Sequence, residues 1–401
     1  MSTSIRLRIS KEEILPNPIK LDRFRRMPEL GPRVLFFSGG SALYDTSRAL
    51  VEYTHNSIHV VTPFDSGGSS ARLRDEFDMP AIGDIRHRLM ALADQSYHGN
   101  PEIFELFAFR LPTTESQREL RSLLERMAQG KHRLVARIPN PMRKLIRTSL
   151  QKFLQFVSVR FDFRGASIGN LILAAGYLDN RRHLDTVIYL FSKLVEVRGT
   201  VRPVVNRSYH LTALLEDGTR LIGQHTFTGK EEKCIQSKIV SLGFVEHREG
   251  KYIQTDVALR SKISYLIRSA ELIVYPMGSF YSSLLATVSP TGVGKAIAAN
   301  GCPKVFVPNT GEDPECFGLK IREQLDRLIA YVRRGESESI AAADVLSIIL
   351  LDADMDRYSG RLTQRELSKY GIQIVRCPLV SPRTAPYIDE TKLVPVLLSL
   401  C

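Results

Sequence analysis

Three short apolar runs in this chain end in loops of glycine and serine. The first is Ser38-Gly39-Gly40-Ser41, the second Asp65-Ser66-Gly67-Gly68-Ser69-Ser70, and the third Pro276-Met277-Gly278-Ser279, leading into Tyr281 and Ser282. Glycine lets a backbone approach a phosphate closely, and the free N–H groups at a helix start attract anions. One such loop is explained by a sharp strand-to-helix turn. Three on one edge of a sheet point to an anionic or nucleotide ligand, with Gly39, Gly40, Ser41, Gly67, Gly68, Ser69, Ser70, Gly278 and Ser279 as candidate contacts. Asp65 follows Val60-Val61 and precedes a double glycine. A carboxylate there suits Mg²⁺, which takes hard oxygen ligands together with phosphate oxygens; the other reading is a turn-capping aspartate. In Gly83-Asp84-Ile85-Arg86, Asp84 is expected to cap a helix, and Arg86 either clamps a phosphate or pairs with Asp84.

Several other chemistries are excluded. Pro290-Thr-Gly292-Val-Gly294-Lys295-Ala296 lacks the first glycine of a P-loop and its Mg²⁺-binding hydroxyl, so it reads as a helix opening. Gly39-Gly40-Ser41 misses the strict dinucleotide fingerprint. Nine histidines include no HExxH pair, and five cysteines include no CxxC, which leaves reduced thiols as the reading for Cys234, Cys302, Cys316, Cys377 and Cys401. Asp352-Ala-Asp354-Met-Asp356 is either an extra metal site or a solvated loop, and it is not an EF-hand because Arg357 stands at the required glycine.

The elements that must position these residues alternate. Residues 33–38 and 57–62 read as buried parallel strands around a helix over 42–53. Strands are also expected at Leu272–Tyr275, Lys304–Val307, Leu346–Leu351 and Ile372–Arg376, with helices between them. This is an α/β pattern: a Rossmann-like, doubly wound, mainly parallel sheet. Two regions depart from it. About 98–165 reads as a helical insertion, with helices at Glu102–Arg110, Thr114–Gly130 and Pro141–Val157. About 198–254 reads as a small β-rich lobe built on a hairpin, Leu211–Leu215 and Arg220–Ile222, with an Asp-Gly turn. Residues 1–32 form an N-terminal extension and 33–401 one interrupted domain.

The 401 residues carry 55 Lys+Arg against 43 Asp+Glu, a net charge of +12, with 43% hydrophobic and 24% charged residues. These are globular proportions. No apolar stretch approaches a membrane span, and Arg6 and Arg8 break up the apolar residues of the first ten, so neither a span nor a secretory leader is expected and a cytoplasmic location is. Lys131, His132, Arg133, Arg137, Arg143, Lys144, Arg147 and Lys152 form a basic stretch interleaved with Leu134, Ile138, Leu145, Ile146 and Phe153. It reads as a helix with a solvated face and an apolar underside. No helix-turn-helix, RNA-recognition or zinc-finger signature accompanies it, which disfavours nucleic acid; docking of a protein partner or an acidic membrane is the remaining alternative.

Taken in order, the first two glycine loops, Gly83-Asp84-Ile85-Arg86, Ser167-Ile168-Gly169-Asn170 and Gly278-Ser279-Phe280-Tyr281-Ser282-Ser283 resemble the CofD superfamily, and Lys304–Gly318 with Asn309, Glu315 and Gly318 resembles a further family segment. The resemblance runs from about residue 33 to about 380. That superfamily contains the 2-phospho-L-lactate transferases of deazaflavin coenzyme synthesis and the YvcK-type gluconeogenesis factors, which bind nucleotide sugars. It implies a Rossmann-like core, a nucleotide or nucleotide-linked small molecule in the cleft and, for the transferases, Mg²⁺-dependent transfer of a phospholactyl group to a hydroxyl. By resemblance Asp65 matches the acidic residue near metal and acceptor, Gly39, Gly40 and Ser41 the first nucleotide loop, Gly278, Ser279 and Tyr281 a later phosphate loop, and Asn170 and Asn309 polar contacts.

The chain departs from the pattern at Ala42, Ser66, Ala71, His87 and Asp352, and in its helical insertion, which marks a divergent subfamily. The expected function is an enzyme moving a phosphate-linked group from a nucleotide diphosphate donor to a hydroxyl. The alternative is a non-catalytic nucleotide-sugar-binding regulator of the YvcK type. A homodimer is an admissible assembly, and Arg72, Arg74 or Arg86 is expected to serve the phosphates.

Overall fold

In the computed structural model, residues 12–96, 99–229, 231–336 and 339–401 are described. The first eleven residues of the expected extension lie outside them. The next part of it, helix Pro18–Arg26, packs on the C-terminal helix Glu390–Ser399.

Eleven strands are present among the described residues: β1 Val34–Ser38, β2 Ile58–Val61, β3 Thr200–Pro203, β4 His210–Leu215, β5 Arg220–Ile222, β6 Ile239–Arg248, β7 Lys251–Thr255, β8 Leu272–Tyr275, β9 Lys304–Phe306, β10 Ile348–Asp352 and β11 Gln373–Cys377. Seven of them form one sheet in the order β11-β10-β9-β8-β1-β2-β3, with every pair parallel. The expected α/β, doubly wound fold is therefore present. Side chains alternate across it. Val34 and Phe36 of β1 face a core shared with Leu50 and the C-terminal helix, while Leu35 and Phe37 face a second core reaching the small lobe. Both faces are covered, which is why β1 reads as a continuous apolar run.

One element differs from expectation. Thr200–Pro203 was expected in the β-rich lobe, yet β3 is the edge strand of the main sheet, in register with β2 from Ile58↔Thr200 to Val61↔Pro203. It is four residues long, only alternately buried, and ends in proline, so nothing local marks it as a sheet member. The lobe proper is the antiparallel sheet β5-β4-β6-β7. The helical region shares one core with β2, β3 and the helices after β2, running from Val61, Val201, Leu73 and Ile85 through Ile103, Phe107, Leu124 and Ile146 to Phe153 and Phe191. Gly292, at φ +96, opens helix Val293–Ala298, as the glycine-rich 290–296 segment predicts.

The chain leaves β1 toward β2 and β3 on one side and runs from β8 toward β9, β10 and β11 on the other. The strand order reverses between β1 and β8, and ligands of open α/β sheets bind beyond the carboxyl ends of the strands at such a point.

Candidate functional site

The ends of β1 and β8 carry the first and third glycine loops. A cleft of about 60 Å³ lies between them, lined by Gly39, Gly40, Ser41, Asp84, Gln224, Gly278 and Ser279 among others. Gly40 is required here because a Cβ would overlap the Asp84 carboxylate. Gly278 sits at φ +132, a conformation side chains rarely adopt. The first loop is held from below by Arg88, which is fully buried on helix Gly83–Ala91. Its guanidinium donates to the carbonyls of Leu43 (2.7 Å), Gly39 (2.9 Å) and Gly40 (3.0 Å), and to Ser47 Oγ.

Asp84 and Gln224 also line the adjoining cavity of about 310 Å³, together with Asp65, Gly67, Gly68, Ser69, Ser70, Arg86, His87, Arg110, Asn170, His225, Thr228 and Glu231. Asp65 Oδ1 accepts Gly67 N–H at 3.1 Å. Buried Arg74 fixes the backbone behind it, donating to the carbonyls of Phe64 (3.0 Å), Asp65 (3.1 Å) and Tyr209 (2.6 Å). Helix Gly68–Phe77 then starts without a side-chain cap, so its first N–H groups are available at the cavity wall. Arg86 Nε donates to Asn170 Oδ1 at 2.9 Å, and Asn170 reaches Ser69 Oγ at 3.5 Å.

Electrostatics make this cavity cationic on one side. Burial first, then the neighbouring Arg110, lowers Arg86 to about 10, so it stays charged at neutral pH. Burial, then Arg86, Arg88 and Arg110, pushes His87 down to about 4, which leaves a neutral imidazole. Two guanidiniums, an uncapped helix start and hydroxyls facing one another form an anion site. Asp65 and Asp84 supply hard oxygens on the same cavity. Among the described residues no group of three or more His, Cys, Asp or Glu is spaced to hold a metal by itself. Mg²⁺ asks for less, one or two carboxylates completed by phosphate oxygens and water, and that donor set fits.

The third loop is built differently. Asn309 accepts from Gly278 N–H (2.8 Å) and donates to Gly278 O (2.7 Å). Asp313 accepts from Phe280 N–H, and buried Glu315 accepts from Tyr281 and Ser282 N–H, each at 2.8 Å. These amides are already bonded to side chains, so they are not free for a phosphate. Burial, and then Asp313, raises the Glu315 carboxyl well above the usual range. The Tyr281 side chain is buried in the core and its hydroxyl donates to Ile239 O at 2.9 Å, so it does not face the cleft. Asn309 acts as a brace of the loop and also lines two larger cavities of about 650 and 830 Å³ beyond it.

The structure thus brings Asp65, Gly67, Gly68, Ser69, Ser70, Arg86 and Asn170 into one cavity and Gly39, Gly40, Ser41, Gly278 and Ser279 into the next. Arg72 and Arg74 donate to backbone carbonyls, Arg72 to those of Asp162 and Arg164, and neither lines either cavity. The 352–356 segment is a turn: Asp352 accepts from Leu379 (2.6 Å) and Val380 N–H (2.9 Å), and Asp354 caps Asp356. Arg88, Arg110, His87 and the lobe residues Gln224, His225, Thr228 and Glu231 escaped sequence reasoning. His87 was visible only as a departure in the Gly-Asp-Ile-Arg segment; the others had no local signal.

The sequence profile described as 2-phospho-L-lactate transferase CofD matches residues 34–376. The chain is 25% identical over 373 residues to the gluconeogenesis factor of Bacillus subtilis, covering 92% of this chain and 97% of that protein. It is 28% identical over 314 residues to the gluconeogenesis factor of Halalkalibacterium halodurans, covering 77% and 76%. A crystal structure of a Bacillus halodurans protein superposes with a TM-score of 0.65 at 22% identity, over 92% of this chain and 99% of that one, which shows a common fold. Among the described residues no helix is long and apolar enough to cross a membrane.

Proposed function

The chain belongs to the CofD family, and from that premise we propose that its cleft binds a nucleoside-diphosphate-linked small molecule as a regulatory ligand. One observation carries this reading. The cleft at the strand-order reversal and the Arg86–Arg110 cavity share Asp84 and Gln224 as walls, so one elongated ligand can lie across both. Its phosphates meet the Gly39–Ser41 loop, and a second anionic or polar group meets Arg86, Arg110 and the start of helix Gly68–Phe77. The printed names of the relatives, gluconeogenesis factor, support regulation.

Asp65 favours a second reading, transfer of a phosphate-linked group to a hydroxyl. It lies on the wall beside the anion site, where it orients an acceptor hydroxyl while Arg86 and Arg110 balance charge on the leaving phosphates. Mg²⁺, when bound, would be held by Asp65 and Asp84 and would neutralise phosphate charge.

A thermal-shift panel of GDP, GTP, UDP-glucose and a deazaflavin, each with and without Mg²⁺, tests both readings. A ligand at 100 times its Kd stabilises by about 2.7 kcal/mol. Stabilisation by UDP-glucose without GMP release from a lactyl-diphospho-guanosine donor supports the regulatory reading. GMP release that is lost in Asp65→Asn supports transfer. No shift with any nucleotide overturns both.

A further inference from the structure

From Arg126 to Phe161 the chain carries nine Lys and Arg and no Asp or Glu. Helix Gln117–Ala128, the short helix Arg133–Ala136 and helix Met142–Phe156 fold this run back on itself. Arg143 donates to Ala136 O at 3.1 Å and Arg147 to Ala128 O at 3.2 Å. The Arg147 side chain lies against Gly130, and Lys131 N–H bonds to Arg126 O at 2.9 Å. Burial, then the charges of Arg126 and Arg133, lowers the His132 imidazole. Six cations, Arg126, Lys131, Arg133, Arg143, Lys144 and Arg147, therefore lie on the end of one helix, the connecting segment and the first half of the next helix.

Two other cations of the run are neutralised, Arg137 by Glu105 (3.1 Å) and Lys152 by Asp179. None of the six has a salt-bridge partner among the described residues. An ordinary solvated face mixes signs; this one does not.

We propose that this surface docks the phosphate backbone of a double-helical nucleic acid. Three features select that partner. The apolar underside of helix Met142–Phe156, Ile146, Leu150 and Phe153, is already buried in the protein core, so it cannot enter a bilayer. Protein partners prefer an apolar centre with charges at the rim, whereas between Arg126 and Leu150 Leu145, 54% exposed, is the one exposed large hydrophobic residue. Between Arg126 and Leu150 the chain has no Phe, Tyr or Trp to stack a single-stranded base, and Phe156, 43% exposed, lies nine residues beyond Arg147. Uniform positive charge without base-reading groups is the requirement of backbone binding, and most of the cations are arginines, whose guanidiniums can engage phosphate oxygens in pairs. Binding of this kind reads no base edge and so needs no recognition motif.

The test uses the full chain and a fluorescein-labelled 20-bp DNA duplex, with anisotropy read between 50 and 200 mM KCl. Six phosphate contacts give a slope of log K against log [salt] of about −5. Arg133→Glu combined with Lys144→Glu is expected to weaken binding at least ~10-fold and to reduce the slope by about 2. Arg365→Glu combined with Lys369→Glu makes the same charge change on and just after helix Gln364–Ser368, and is expected to leave affinity and slope within ~2-fold. Urea midpoints of both variants check folding, since all four side chains are exposed. No binding at 50 mM KCl overturns the proposal, as does equal weakening by the control pair. Equal affinity for a 20-nucleotide single strand, poly-L-glutamate or phosphatidylserine vesicles overturns the choice of partner.

Discussion

Two glycine loops of similar composition follow β2 and β8, the two strands that flank β1, and most of their amides have opposite fates. At Asp65–Ser70 the following helix starts without a side-chain cap and faces Arg86 and Arg110 across a cavity. At the third loop the amides of Gly278, Phe280, Tyr281 and Ser282 are bonded to Asn309, Asp313 and Glu315 from within the fold. A Gly/Ser loop at a strand end is therefore an anion site only while its N–H groups have no internal acceptor. The Asp65–Ser70 loop is built for a ligand and the Gly278–Ser282 loop for the protein itself.

Changes to the internally braced loop should act first on stability. Glu315→Ala strands two amides and the Ser282 hydroxyl in the interior, and a loss of about 3 kcal/mol or more is expected in urea unfolding. Because the folded Glu315 pKa is raised above its unfolded value near 4.5, the folded state binds the extra proton, and this group's contribution falls as pH rises from 4.5 toward neutrality. Glu315→Gln should remove that slope and keep most of the stability. If Glu315→Ala unfolds at the wild-type midpoint, the contrast between the loops fails.

Arg88 supports the first loop in a comparable way, by bonding carbonyls. Arg88→Met should cost about 2 kcal/mol and abolish the nucleotide-dependent thermal shift, since Gly39 and Gly40 lose their brace. Wild-type nucleotide shifts in that variant would remove the first loop from the site. Arg110→Ala belongs to the ligand-facing side alone. It is expected to weaken ligand binding ~10-fold by titration while leaving the urea midpoint unchanged; the reverse pattern would make Arg110 a structural residue. The smallest effect concerns His87. Its folded pKa of about 4 lies below the unfolded 6.5, so the folded state binds fewer protons between those values. Its contribution to stability is full above pH 6.5 and declines as pH falls toward 4. His87→Gln should flatten that decline, and an unchanged acid limb would show that another group causes it.

The sequence disclosed what is written locally. β1, β2 and β8 are apolar runs ending in glycine, and the helices of the 98–165 region keep a regular apolar spacing. The residues lining the Asp65 cavity were found where a loop motif marks them. What stayed hidden depends on partners far along the chain. Nothing around Arg88 says that an arginine will be fully buried, because its acceptors are carbonyls 45 to 49 residues earlier. Likewise Asn309 reads as a ligand contact, and only its bonds to Gly278 show that it braces the loop, as Glu315 does at Tyr281 and Ser282. β3 was missed because a half-buried four-residue strand ending in proline has no distinctive pattern.

That misread strand matters for how the site can change. β3 lies beside β2, whose end leads to Asp65, and the chain passes directly from β3 into the small lobe. The lobe returns Gln224, His225, Thr228 and Glu231 to the cavity, and His225 Nδ1 meets Ser66 Oγ at 2.8 Å. One contiguous cassette, leaving and rejoining the main sheet at β3 and β8, thus supplies the outer wall, while the strand ends supply the floor. Grafting this cassette between relatives would exchange what the ligand meets on its far side and leave the phosphate-facing loops untouched.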